Sequence, residues 1–104
     1  METDVTLAAL ARALGHPARI TILRLLANRA RCICGELVEE LPLSQATVSQ
    51  HLRALRRAGL IRGEIAGRNS CYCLDPVGVE RLALLLPDFA SRLRRAAIKT
   101  KMCC

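Results

Sequence analysis

The stretch Leu43-Ser44-Gln45-Ala46-Thr47-Val48-Ser49-Gln50-His51-Leu52-Arg53-Ala54-Leu55-Arg56-Arg57-Ala58-Gly59 decides the fold. Ser44 stands where a helix cap is needed, because its hydroxyl accepts a backbone N–H that the first turn leaves free. From there Val48, Leu52 and Leu55 recur at helical spacing and form one narrow apolar stripe. The other side carries Gln45, Thr47, Ser49, Gln50, Arg53, Arg56 and Arg57, and Gly59 supplies the stop. Just upstream, a shorter helical stretch is expected from about Ile33 or Cys34 to Leu41, with Leu37, Val38 and Leu41 inward and Pro42 closing it. Two short helices joined by a tight Pro-Leu turn, the second polar and basic outside, make a helix-turn-helix.

Working outward, Leu7, Leu10, Ala11 and Leu14 sit at helical spacing in residues 5–14, and Gly15-His16-Pro17 ends that helix and starts another. The second helix, to about Asn28, carries Ile20, Ile22, Leu23, Leu25 and Leu26, too many for one stripe, so it is expected to be central. Downstream, Leu60 to Ala66 and Ser70 to Leu74 are β-compatible runs flanking Gly67-Arg68-Asn69, a hairpin signal. A last helix is expected from about Val77, with Pro87 as a kink or division point. The fold class is mainly α with a small β-hairpin, a winged helix-turn-helix in the order α-α-α-α-β-β-α.

The chain has 104 residues and a formal charge of +7, which allows one domain and favours an anionic partner. We divide it into a DNA-binding and dimerisation domain, residues 1–98, and a basic, Cys-ended tail, residues 99–104. Tyr72 and Phe89 are the only aromatics, which argues against the stacking platforms of single-strand or RNA binders. Residues 44–70 hold Arg53, Arg56, Arg57, Arg62 and Arg68 against Glu64 alone, as binding to duplex DNA requires. Ser44, Gln45, Thr47, Ser49 and Gln50 lie toward the helix start, the end that reaches base edges, and glutamine discriminates best by pairing with adenine. Arg53, Arg56 and Arg57 suit phosphates, and Arg68 at the hairpin tip suits the adjacent minor groove. One copy reads too little sequence to be selective, so a two-fold homodimer is expected, its interface drawn from the apolar excess of the first and last helices.

Six cysteines fall in three close pairs: Cys32/Cys34, Cys71/Cys73 and Cys103/Cys104. Residues 1–20 lack a charged segment followed by an apolar one, and no apolar run reaches the roughly 20 residues of a spanning helix, so a cytoplasmic protein without membrane contact is expected. Its thiols should be reduced there, candidates for metal binding or redox sensing rather than staples. Thiolates are soft ligands and select Cd, Zn or Cu(I), and by the same reasoning As(III) or Sb(III). Cys71 and Cys73, two apart on a strand, share one face opposite Tyr72 and Leu74. They, with Cys103 and Cys104, are further candidate ligands. His16 and His51 are expected in structural roles. A Cys-x-x-Cys beside a βαβ unit, zinc-knuckle spacing and a catalytic constellation are all missing, so neither an enzyme nor an organic cofactor is expected.

The segments Gly15-His16-Pro17-Ala18-Arg19-Ile20, Ile22-Leu23-Arg24-Leu25-Leu26, Leu43 through Leu52, and Ala58-Gly59-Leu60-Ile61 resemble the ArsR/SmtB family of bacterial metalloregulatory repressors. The likeness covers residues 5 to about 86. It implies a homodimer that holds its operator without ligand and releases it when an effector binds. Cys32-Ile33-Cys34-Gly35-Glu36-Leu37 resembles the family's metal box, in whose arsenic-responsive branch a third Cys commonly stands where this chain has Leu37. The resemblance therefore points to Cys32 and Cys34 as ligands for As(III), Sb(III) or a soft metal. On a helix residues two apart point about 200° apart, so a shared ion would require that first turn to open, disturbing the recognition helix. The alternative is a thiol redox or persulfide-sensing repressor of the same fold.

Overall fold

The computed structural model describes residues 1–35, 37–66 and 69–99. Helices α1 (Glu2–Leu14) and α2 (Pro17–Arg29) are followed by a two-residue strand, β1 (Ile33–Cys34), and a single helical turn, α3 (Leu37–Glu40). Then come α4 (Gln45–Arg57), β2 (Ile61–Glu64), β3 (Cys71–Leu74) and α5 (Pro76–Lys99). The three strands form one antiparallel sheet in the order β1-β3-β2. This is a winged helix-turn-helix, with an additional strand pairing the outer edge of the wing.

Local chemistry explains most boundaries. The Ser44 hydroxyl accepts the Thr47 backbone N–H at 3.2 Å, capping α4 as its position foretells. At the start of α5, the Asp75 carboxylate accepts the Val77 N–H at 3.0 Å, while Asp75 N–H donates to the Leu60 carbonyl at 2.9 Å. That second bond ties the helix start to the entry of the wing. The core is assembled around α2 from α1, α3, α4 and the three strands: Leu10, Ile22, Leu26, Ile33, Leu37, Leu55, Leu60, Ile61 and Tyr72 are at most 2% exposed. Leu23 and Leu25 are only partly buried, so α2 is central but not enclosed on all sides.

Three expectations change. The helical stretch expected from Ile33 or Cys34 begins only at Leu37, because Gly35 adopts φ +70°, a left-handed backbone that no helix continues through. Ile33 and Cys34 instead pair with Tyr72 and Cys71, so the element order gains a strand. Pro87 neither divides nor ends α5, which runs unbroken over 24 residues. Both Ala83 and Pro87 face solvent, where water can satisfy the carbonyl that the proline leaves without its usual N–H partner. Arg68, Cys103 and Cys104 lie outside the described residues, as do Gly67, the side chain of Val38, all of Glu36 and residues 100–104. Among the described residues no helix is long and apolar enough to cross a membrane.

Candidate DNA-binding face and thiol site

The α4 stripe behaves as its periodicity demands: Val48, Leu52 and Leu55 are buried, and Gln50, Arg53, Arg56 and Arg57 are exposed. Ser49 is a correction. It is only 6% exposed, because it follows Val48 on the arc that rolls under the helix, and so is withdrawn from any base edge. Ser44 and Thr47 hydroxyls lie 3.0 Å apart and are engaged with each other, leaving them a capping role first. Gln45 is half-buried, whereas Ala46 is exposed beside it. Polarity does not single out Ala46, yet an exposed alanine can meet a thymine methyl. Gln50 is thus the glutamine of α4 that stands open to solvent.

Among the arginines, Arg53 and Arg57 stand free on the surface beside a hollow closed by Arg56 and Ile65. The Arg56 guanidinium donates to the Gly63 carbonyl at 3.0 Å, bracing α4 against the wing strand β2. Arg62, grouped by charge with the α4 arginines, instead lies opposite Cys73 and borders the same cleft as that residue.

The two histidines meet. Their ring centroids are 4.3 Å apart, and Arg19 Nε donates to His51 Nδ1 at 3.1 Å, joining the start of α2 to α4. An accepting Nδ1 must be unprotonated. Burial first, then the His16 and Arg19 charges, hold His51 below its ordinary pKa of 6.5. The unfolded chain therefore binds the proton more readily. The stabilisation is complete above about pH 6.5 and is lost as pH falls through the lower folded value. We expect the urea midpoint to drop between pH 7 and 5, and His51→Gln to flatten that drop; an equal drop in both proteins would refute the assignment.

The cysteines are arranged by the sheet. Cys34 lies directly opposite Cys71, Cα atoms 4.1 Å apart, and the two are joined as a disulfide. Two residues further along the same ladder, the free thiols Cys32 and Cys73 border one cleft. Directly opposed residues share a face, so all four sulfurs are on one side of the sheet, while Ile33 and Tyr72 fill the core on the other. Two expectations are thereby corrected. Cys32 and Cys34 do not start a helix, so no helical turn needs opening, and each pairs across the sheet rather than with the other. Nor are all thiols reduced, since Cys34 and Cys71 are bonded. The shared face of Cys71 and Cys73 is as expected.

Arg62, opposite Cys73 on β2, completes a row of three side chains across the sheet. Hydrogen bonds from Cys32 and Arg62 hold the Cys73 thiol below its usual range, and that same bond to Cys73 pushes the Cys32 thiol up. This row borders an open cleft of about 330 Å³ whose apolar wall includes Leu26 and Leu74. Among the described residues no three His, Cys, Asp or Glu side chains converge. The donor set is a pair of soft thiols, which fits a thiophilic ion that keeps other ligands of its own. The alternation Cys32-Ile33-Cys34, with one β-branched residue between two that face out, was the available signal for a strand here.

Comparison with known proteins places these features. The sequence profile described as "Bacterial regulatory protein, arsR family" matches residues 16–62. The HTH-type transcriptional repressor SmtB of Mycobacterium tuberculosis is 46% identical over 65 residues, which are 62% of this chain and 47% of that protein. This chain thus spans about half the length of those SmtB relatives. An uncharacterised HTH-type regulator of Methanocaldococcus jannaschii is 38% identical over 85% of this chain and 99% of its own. Among solved structures, a possible transcriptional regulator for arsenical resistance has a TM-score of 0.65 at 32% identity, covering 88% of this chain and 95% of that one. The cadmium metal-sensor CMTR from Mycobacterium tuberculosis has a TM-score of 0.54 at 39% identity, covering 76% and 81%. All four are described as regulators or sensors, and none as an enzyme.

Proposed function

From the premise that this chain belongs to the ArsR/SmtB family of bacterial winged-helix transcriptional regulators, we propose that it is a cytoplasmic homodimeric repressor released from operator DNA by a thiophilic metal or metalloid. The effector is As(III) or Sb(III), or a soft metal such as Cd or Zn, taken by thiols among Cys32, Cys34, Cys71 and Cys73. The observation that carries this reading is the gathering of those four sulfurs on one face of the sheet. That face joins β1, which leads into the helix-turn-helix, to β3, which belongs to the wing. An ion bound there acts on both DNA-contacting parts at once. A coupling of about 1–3 kcal/mol changes operator affinity some 5- to 150-fold.

Dimerisation is supported by α5, where Leu84, Phe89 and Leu93 are 64%, 47% and 55% exposed, more apolar surface than one copy can cover. Gln50, Ala46, Arg53, Arg56 and Arg57 are assigned to DNA, with Arg68 from the segment between β2 and β3. The names of the relatives favour metal over the redox alternative, although the Cys34–Cys71 bond gives the latter an observation of its own.

Fluorescence anisotropy of the reduced protein on DNA from upstream of its own gene tests the proposal. Arsenite or cadmium should weaken the complex within the range above, and an oxidant should not reproduce the effect. Undiminished binding under both ions would end the metal reading.

A further inference from the structure

Building on the effector reading above, we infer that the ion is held by the pair Cys32 and Cys73 across the β1–β3 ladder, with Arg62 beside it, while Cys34–Cys71 is a staple that takes no ligand. Three observations carry this. First, Cys32 and Cys73 are the free thiols among the described cysteines, and both border one cleft beside the ladder that pairs Cys34 with Cys71. Two sulfurs on a tetrahedral ion at about 2.3 Å stand roughly 3.8 Å apart, a separation that neighbouring cross-strand side chains reach without backbone change. Second, these sulfurs border the open cleft of about 330 Å³, which leaves room for the ion's remaining ligands. Third, Cys34 and Cys71 are bonded to each other on the adjacent rung, so their sulfurs have no lone thiolate to offer.

The chemistry balances without an oxidant or reductant. Arsenous acid exchanges two hydroxyls for two sulfurs; the two thiol protons leave with those hydroxyls as two waters, and one hydroxyl remains on arsenic. Cadmium displaces the same two protons to solvent and gives a neutral bis-thiolate.

The test uses the full chain carrying Cys103→Ser and Cys104→Ser, so that the tail thiols do not compete. Cadmium is titrated by sulfur-to-metal charge-transfer absorbance, and phenylarsine oxide, a two-thiol probe, by intact mass. One equivalent of each is expected to bind, and to bind equally after Cys34→Ser with Cys71→Ser. Either Cys32→Ser or Cys73→Ser should weaken cadmium at least about 100-fold and abolish the arsenical adduct, with far-ultraviolet circular dichroism unchanged. Adduct retained in both single variants, adduct lost on removing the Cys34–Cys71 rung from a folded protein, or no binding at all would each overturn the assignment. Operator release is read separately. If the ion binds at Cys32 and Cys73 but DNA affinity does not move, the site stands and the effector reading fails. If release persists in Cys73→Ser, the effector reading stands and this site fails.

Discussion

Raising salt from about 50 to about 200 mM is expected to weaken the operator complex on the order of 10³-fold. Each protomer presents Arg53, Arg56 and Arg57 on one helix, and no acidic residue stands on α4 to offset them. A two-fold dimer would then neutralise about six phosphates, and log affinity should fall against log salt with a slope near −5. The arginines are not equivalent. Arg53 and Arg57 are exposed, whereas Arg56 is already bonded to the Gly63 carbonyl. Alanine at Arg53 should therefore reduce the slope by about 2 for the dimer and weaken all DNA sequences alike. Alanine at Arg56 should also loosen the wing and raise the hydrogen-exchange rate of β2. Gln50→Ala, in contrast, should change which operator is preferred and leave the slope alone. A complex insensitive to salt, or a slope unchanged by Arg53→Ala, would contradict this assignment of the face.

Gly78→Ala is expected to be the most damaging single substitution, costing about 3 kcal/mol or more, beyond the middle of the usual range for overpacked sites. Gly78 lies in the first turn of α5 and is buried against the turn that follows α4. A methyl group there would fall on the Gly59 carbonyl oxygen and within 3.2 Å of the Leu60 nitrogen, both backbone atoms that no rotamer change can move aside. The clash would separate α5 from the entry of the wing, where Asp75 N–H also bonds the Leu60 carbonyl. For a domain of this size the melting temperature should fall by roughly 10–20 °C. Gly59→Ala is the control. Its φ of +82° is strained for alanine, but open space surrounds the position, so the cost should be only about 1–2 kcal/mol. Thermal denaturation of both variants measures the difference; a Gly78→Ala protein within 1 kcal/mol of the parent would show that the α5–turn contact is not rigid.

The fold was legible where its causes are local. The Ser44 cap, the Val48-Leu52-Leu55 stripe and the Gly59 stop are all written within fifteen residues or so, and each is where the pattern puts it. The two hairpin strands were legible as well, though shorter than their β-compatible runs. What the pattern carried only faintly was β1. Two residues are too few for periodicity to register, and the short helix after them encouraged extending that helix backward through Gly35. For the same reason Ser49 looked like a DNA contact. A polar residue on a polar helix is placed by the angle at which the helix lies on the core, and that angle is not in the helix's own sequence.

Taken alone, the sequence determined the recognition helix, the wing and their basic charge, because caps, stripes and turn residues act over one or two helical turns. It also contained six thiols, the soft-ligand groups, in three close pairs. Only the tertiary structure decided which thiols meet. Cys34 and Cys71 are 37 residues apart, and their partnership exists because β1 pairs with β3 in one particular register. A slip of one residue would bury the cysteines and turn Ile33 and Tyr72 outward. The exclusion of Ile33 and Tyr72 from water, both at most 2% exposed, is what fixes that register and, with it, the four sulfurs on the open face.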